Sequence, residues 1–167
     1  KVETAREMLS AVERSLPADV AIFPAAVADW AIAKPGAQKM KKDKAGVPQL
    51  SLSEISFRDL PIYSYDYDDD YPAVARAFKQ AIADADAVLF VTPEYNRSIP
   101  GGLKNAIDWA SRPYGQNAFT RNPYGVIGTS PGAIGTAIAQ QQLRSVLGFC
   151  NSPQMNAPEA YIQFTPG

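Results

Sequence analysis

The stretch "TPEYNRSIPGGLKNAIDWASRP", residues 92–113, sets a carboxylate, a phenol and an amide side by side at Glu94, Tyr95 and Asn96. They follow directly on the apolar run 87–91 and precede a Pro-Gly-Gly turn. A bare connection needs only turn residues. Hydrogen-bonding groups and an aromatic ring at the end of a buried strand occupy the place where open α/β sheets bind ligands. Tyr95 can stack on a flat ring, and Asn96 can donate and accept along a ring edge. A second stretch, "GTSPGAIGT" at residues 128–136, places Gly128, Gly132 and Gly135 where backbone could approach a ligand. There Thr129, Ser130 and the N–H groups of a following helix can donate hydrogen bonds. Loops leaving neighbouring parallel strands would flank a slot that suits a planar heterocycle better than a sugar or a peptide. Local alternatives stand beside this: Glu94 as a solvated strand-end charge, Asn96 as a turn residue, and the glycines as an ordinary α/β turn.

Composition narrows the chemistry. The 167 residues contain no His, which removes the commonest general base, triad partner and zinc ligand. An enzyme built this way must use carboxylates, Tyr, Lys or a cofactor that brings its own reactivity. A net charge of −1 gives no global attraction to nucleic acid or membrane, and no apolar run reaches spanning length. No signal peptide is visible, and the single Cys150 is compatible with a reducing compartment, so a cytoplasmic protein is expected. Cys150 itself reads as packing at an apolar helix end, and no metal site is expected.

The elements that must position these loops are legible from periodicity. Thr4 and Glu7 form a capping-box pattern, and apolar spacing over residues 4–16 predicts a helix that Pro17 stops. Residues 20–27 read as a buried strand, with Pro24 suggesting a bulge or early exit. Residues 31–48, with Lys39, Lys41, Lys42 and Lys44 among glycines and prolines, read as a long basic loop. Residues 50–57 alternate as a strand, and 59–71 form an acidic, Tyr-rich surface loop. A helix follows Pro72, with Val74, Phe78 and Ile82 on its apolar stripe. Then come a strand at 87–91, a helix through Leu103, Ile107 and Ala110, a strand at 124–127, a helix at 137–147 and a strand at 160–164. Strands alternating with crossover helices predict one α/β domain with a parallel sheet.

The stretches "TPEYNRSIPGGLKNAIDWASRPYGQNAF", "GTSPGAIGTAIAQQQLRSVLGF" and "MNAPEAYIQ", with "FRDLPIYSYD" before them, resemble the NADPH-dependent FMN reductase family from about residue 52 to 163. The resemblance implies a flavodoxin-like three-layer sandwich with a doubly wound, five-stranded parallel sheet. It implies bound FMN and hydride transfer from NAD(P)H through the flavin to quinones or other small-molecule acceptors. By this resemblance Pro93, Glu94, Tyr95, Asn96 and Ser98 lie along the isoalloxazine ring, and Ser130, Pro131, Gly132 and Gly135 close the other side. No side chain is assigned a catalytic role of its own. The resemblance also implies a dimer or tetramer, as is usual in that family, with the helix matching Leu103–Trp109 near the interface.

The Gly-Ser-rich phosphate loop with which that family begins is not in this sequence. Residues 1–50 instead resemble a fragment of the phosphopantothenoylcysteine synthetase domain of the bifunctional coenzyme A biosynthesis protein. By that resemblance Asp29 and Lys39 would touch CTP or phosphopantothenate. Lys41 and Lys42 could join Lys39 as a substitute grip on the FMN phosphate. The expectation is therefore a chimera joined near residues 50–53, with residues 51–167 as the flavodoxin-like part. Its sheet would be permuted or incomplete on one face, its phosphate binding and activity weakened or lost. It would form a homo-oligomer, with segment exchange as one route.

Overall fold

The computed structural model describes the backbone of residues 20–24 and the whole of residues 51–165. The expected first helix, the basic loop, Asp29, Lys39, Lys41 and Lys42 lie outside the described residues.

Five strands form one sheet: β1 (Val20–Pro24), β2 (Leu52–Glu54), β3 (Val88–Val91), β4 (Tyr124–Ser130) and β5 (Ala160–Gln163). Their order is β2-β1-β3-β4-β5, and every pairing is parallel. This is the doubly wound flavodoxin-like arrangement, with its switch point between β1 and β3. Residues 20–24 therefore fill the central position that their apolar run suits. Pro24, the last residue of β1, pairs with Val91 of β3.

Three helices cross between successive strands: α1 (Ala73–Ala83), α2 (Gly101–Ser111) and α3 (Ala137–Phe149). All three connections run in the same direction across the sheet, so the right-handed crossover rule puts them on one face. The packing agrees. Phe78 and Ile82 of α1, Leu103 and Ile107 of α2, and Leu143 and Leu147 of α3 share one core with Val88, Phe90 and Val126. The intervening Leu89 and Ile127 are also buried but stand outside that core, as alternation along buried parallel strands requires.

The acidic loop differs from its sequence reading. It holds a short 3₁₀ turn at Tyr65–Tyr67, and Tyr63 and Tyr71 turn inward onto fully buried Trp109 while Tyr65 stays exposed. Tyr63 and Tyr71 meet the indole edge-on at centroid distances of 5.1 and 4.9 Å, and Tyr67 lies 5.3 Å away. The indole Nε1 donates to Pro61 O at 2.7 Å, and the Tyr71 hydroxyl donates to Trp109 O. Asn105 Nδ2 donates to Pro61 O and its Oδ1 accepts from Tyr63 N. An acidic, tyrosine-rich composition signals surface, but an indole on α2 with a free N–H supplies both apolar contact and a donor. The strand expected at 50–57 narrows to Leu52–Glu54, and Ile55 turns into the core.

Candidate functional site

The two loops singled out by sequence leave adjacent strands at the same rim. Val91 of β3 pairs with Ile127 of β4, and Thr92 N extends the ladder by donating to Ile127 O at 3.0 Å. Buried Thr92 then bonds Pro93 O through its hydroxyl at 2.8 Å, fixing the exit of the chain.

The first loop is a hairpin. Tyr95 and Ser98 exchange two backbone hydrogen bonds of 2.9 Å around Asn96 and Arg97, whose φ values are 52° and 61°. Two central residues at positive φ are the signature of a type I′ turn. Asn96 is thus a turn residue, one of the roles left open for it. Tyr95 is 50% exposed beside the turn. The hairpin rests on α3: Ser98 Oγ donates to Gln142 Oε1 at 2.6 Å, and Gln142 Nε2 donates to Arg97 O at 2.9 Å.

Glu94 has a different place from either sequence reading of its side chain. Its Oε2 accepts from the N–H groups of Ile138 and Ala139, at 3.1 and 3.0 Å, in the first turn of α3. Its side chain is only 7% exposed, and Oε1 lies 3.5 Å from Arg97 Nη1. It is no solvated strand-end charge. A carboxylate here satisfies two of the orphan N–H groups at the helix start and sits at the positive end of the helix dipole. Thr136, the residue before α3, makes no side-chain cap, so Glu94 supplies the cap from 42 residues away. One carboxylate thereby ties the first loop to the helix that follows the second.

The second loop begins later than expected, because β4 continues through Gly128 and Thr129 to Ser130. Gly128 is a packing glycine: a Cβ there would stand 2.2 Å from Thr136 Oγ1 and 2.3 Å from Thr92 O. Gly135, at φ 57°, presses on the β5 backbone, where a Cβ would come within 2.9 Å of Tyr161 C. Both close approaches are to the protein itself, so packing alone requires glycine at these two positions. Ser130 Oγ accepts from Gly132 N at 3.1 Å, Gly132 O accepts from Gly135 N at 2.9 Å, and Pro131 O accepts from Gln163 Nε2 at 3.1 Å. Pro131 and Gly132 are exposed along this wall, and a Cβ at Gly132 would meet only Ser130 Oγ, at 3.4 Å.

The rim therefore offers a half-exposed phenol, neutral donors and two walls locked to each other. Among the described residues nothing accepts from the backbone N–H groups of Glu94, Asn96 or Arg97. Buried Thr129 Oγ1 also has no partner there. Sequence reasoning missed Gln142 and Arg97. The run of three glutamines in α3 was the available signal, since one turn of a helix facing a loop is where such amides find carbonyls to bind.

Comparison with known proteins follows the same lines. The family model for NADPH-dependent FMN reductases matches residues 25–166. The chain belongs to this family. The FMN reductase match runs across residues 50–53 and takes in the basic stretch before them, and no finding supports the synthetase fragment or a chimera. A 2-hydroxy-1,4-benzoquinone reductase of a Burkholderia species is 60% identical over 114 residues, 68% of this chain and 62% of that protein. A quinone reductase of Pseudomonas putida is 50% identical over 114 residues, 68% of this chain and 61% of that protein. This FMN reductase family member thus spans about six-tenths of the length of those curated relatives. Among solved structures, the flavoenzyme NAD(P)H:(acceptor) oxidoreductase FerB from Paracoccus denitrificans superposes with a TM-score of 0.71 at 38% identity, covering 89% of this chain and 80% of that one.

Proposed function

We propose that this chain is an FMN-dependent NAD(P)H reductase of quinone-like acceptors, with its site at the rim between the two loops. The observation that carries the reading is the Glu94 tie, which holds the Tyr95 hairpin and the Ser130–Gly135 turn as two fixed walls at the carboxyl edge of β3 and β4. The donor set suits a flavin ring: a stacking phenol and unpaired backbone N–H groups, with the nearby carboxylate already engaged. FMN, when bound, supplies the two-electron hydride chemistry that no side chain here offers.

The chain's own residues then have distinct tasks. Tyr95 covers a ring face and excludes water from it. Pro93 and the Glu94–Asn96 backbone present donors to the ring edge, with Ser98 anchoring the hairpin on Gln142. Ser130, Pro131, Gly132 and Gly135 form the facing wall. Asp29, Lys39, Lys41 and Lys42 lie inside the family match but outside the described residues, so any phosphate contact of theirs stands as a proposal.

The chain is further taken as a single cytoplasmic domain that self-associates. The lone buried Cys150, whose thiol burial pushes up, agrees with a reducing compartment. Among the described residues no helix is long and apolar enough to cross a membrane. Phe149, 85% exposed beside exposed Tyr114 on the α2–α3 side, favours a partner there.

Titrating purified protein with FMN tests the reading. Quenching of flavin fluorescence with a shifted absorbance band is expected, followed by bleaching of that band on adding NADPH. Flavin that keeps its free-solution spectrum at millimolar protein would reject it.

A further inference from the structure

Arg97 stands where its turn least favours it. Turns of this hand prefer Asn-Gly, because both central residues take positive φ. Here the pair is Asn-Arg, with Arg97 at φ 61°. A long side chain in the left-handed region is strained, and such strain persists only where surrounding structure enforces it. That enforcement is present: the Tyr95–Ser98 pair closes the turn, and Gln142 holds Arg97 O. The guanidinium is not consumed by structure. It is 66% exposed, and its one ion-pair partner among the described residues, Glu94 Oε1, is loose at 3.5 Å. Glu94 in turn is held by α3 through its other oxygen and does not depend on Arg97 for its position.

We propose that Arg97 is a specificity-determining residue that grips a phosphate of the reduced nicotinamide dinucleotide. This rests on the function proposed above. Of the two substrates of such a reductase, a quinone is neutral, whereas the dinucleotide always carries a pyrophosphate and in NADPH a further 2′-phosphate. A guanidinium fork fits phosphate oxygens in a bidentate way. Arg97 follows the stacking phenol by two residues, on a turn closed by Tyr95 and Ser98 and held by Gln142.

The test uses the FMN-loaded protein as wild type, Arg97→Gly and Arg97→Lys. Glycine is the residue the turn prefers, so Arg97→Gly should melt no lower than wild type and bind FMN equally well. Its KM for NADPH should rise about tenfold, as for loss of one charge-assisted phosphate contact. Its kcat and its KM for a neutral benzoquinone should stay within about twofold, and Arg97→Lys should fall between. The NADPH effect should shrink at high salt. An equal rise for NADH assigns the pyrophosphate, and a rise for NADPH alone assigns the 2′-phosphate. Titration with NADP⁺, followed by tryptophan fluorescence, gives a readout without turnover, and Arg97→Gly should bind it about tenfold more weakly. Equal NADP⁺ affinity in wild type and Arg97→Gly overturns the proposal, as does a lowered melting temperature with unchanged KM, which would make Arg97 only a brace for Glu94. Failure of the wild type to take up flavin would instead strike the function proposed above.

Discussion

The rim hairpin and the Trp109 cluster lie at opposite ends of one stretch of chain, residues 92–111, and are built on opposite principles. Around Trp109 every polar group named is matched: the indole N–H to Pro61, the Tyr71 hydroxyl to Trp109 O, the Tyr63 hydroxyl to Asp68 at 2.8 Å. Around Tyr95 the backbone is held as firmly, yet an aromatic ring is left half open and N–H groups go unused among the described residues. Saturated polar clusters stabilise; preorganised unsaturated ones bind. The difference separates an aromatic cluster that serves the fold from an aromatic ring left open at the rim, although sequence alone presents both as tyrosines among polar residues.

Breaking the saturated region should have the largest effect on stability. Trp109→Ala leaves a cavity lined by Tyr63 and Tyr71 and leaves Pro61 O with Asn105 Nδ2 as its remaining donor, costing about 3–5 kcal/mol. Urea denaturation should show a midpoint shift of that size. Flavin affinity, measured well below the new midpoint, should change far less than stability does.

The Glu94 tie should invert that ratio. Glu94→Ala removes the only side-chain cap of α3 among the described residues, at a cost of about 1–2 kcal/mol. It also frees one wall from the other, so FMN affinity should fall by about tenfold or more. Glu94→Gln keeps an acceptor oxygen but loses the charge, and should lie between. Were Glu94→Ala to bind FMN as tightly as wild type, the tie would be a stability device alone.

These contrasts also mark what the residues disclosed in advance. Parallel strands, their order of appearance and the helices between them followed from apolar runs and periodicity, because burial on both sides of a sheet writes itself into composition. The placement of Tyr95 and Ser130 on one rim followed from topology alone. Glu94 was identified as important, but its bonds to Ile138 and Ala139 cross more than 40 residues, and no local pattern encodes such a contact. The packing of Gly128 against Thr136 and Thr92 was not legible, because sequence shows the missing Cβ but not what fills its space. The Tyr-rich loop was taken for surface because five aspartates stand among its tyrosines, yet Tyr63 and Tyr71 pack on Trp109 while Tyr65 remains exposed.

The smallest effect is expected from Tyr63, and it carries a pH signature that the rim does not. Burial, then the hydrogen bond to Asp68, push its phenol up from 10.0 to about 12. The folded chain thus holds a proton that the unfolded chain releases between pH 10 and pH 12. Stability from this group is complete below pH 10 and is lost as pH rises through that window. Tyr71, raised further by burial, adds to the loss in the same direction. Tyr63→Phe removes the bond to Asp68, which costs about 0.5–1.5 kcal/mol near neutrality. Because the variant has no phenol to ionise, its deficit relative to wild type should narrow above pH 10 and vanish by about pH 12. Chemical denaturation of both proteins from pH 7 to pH 11 measures the convergence. A deficit that stays constant across the range would mean that Tyr63 acts through its ring on Trp109 and not through its hydroxyl.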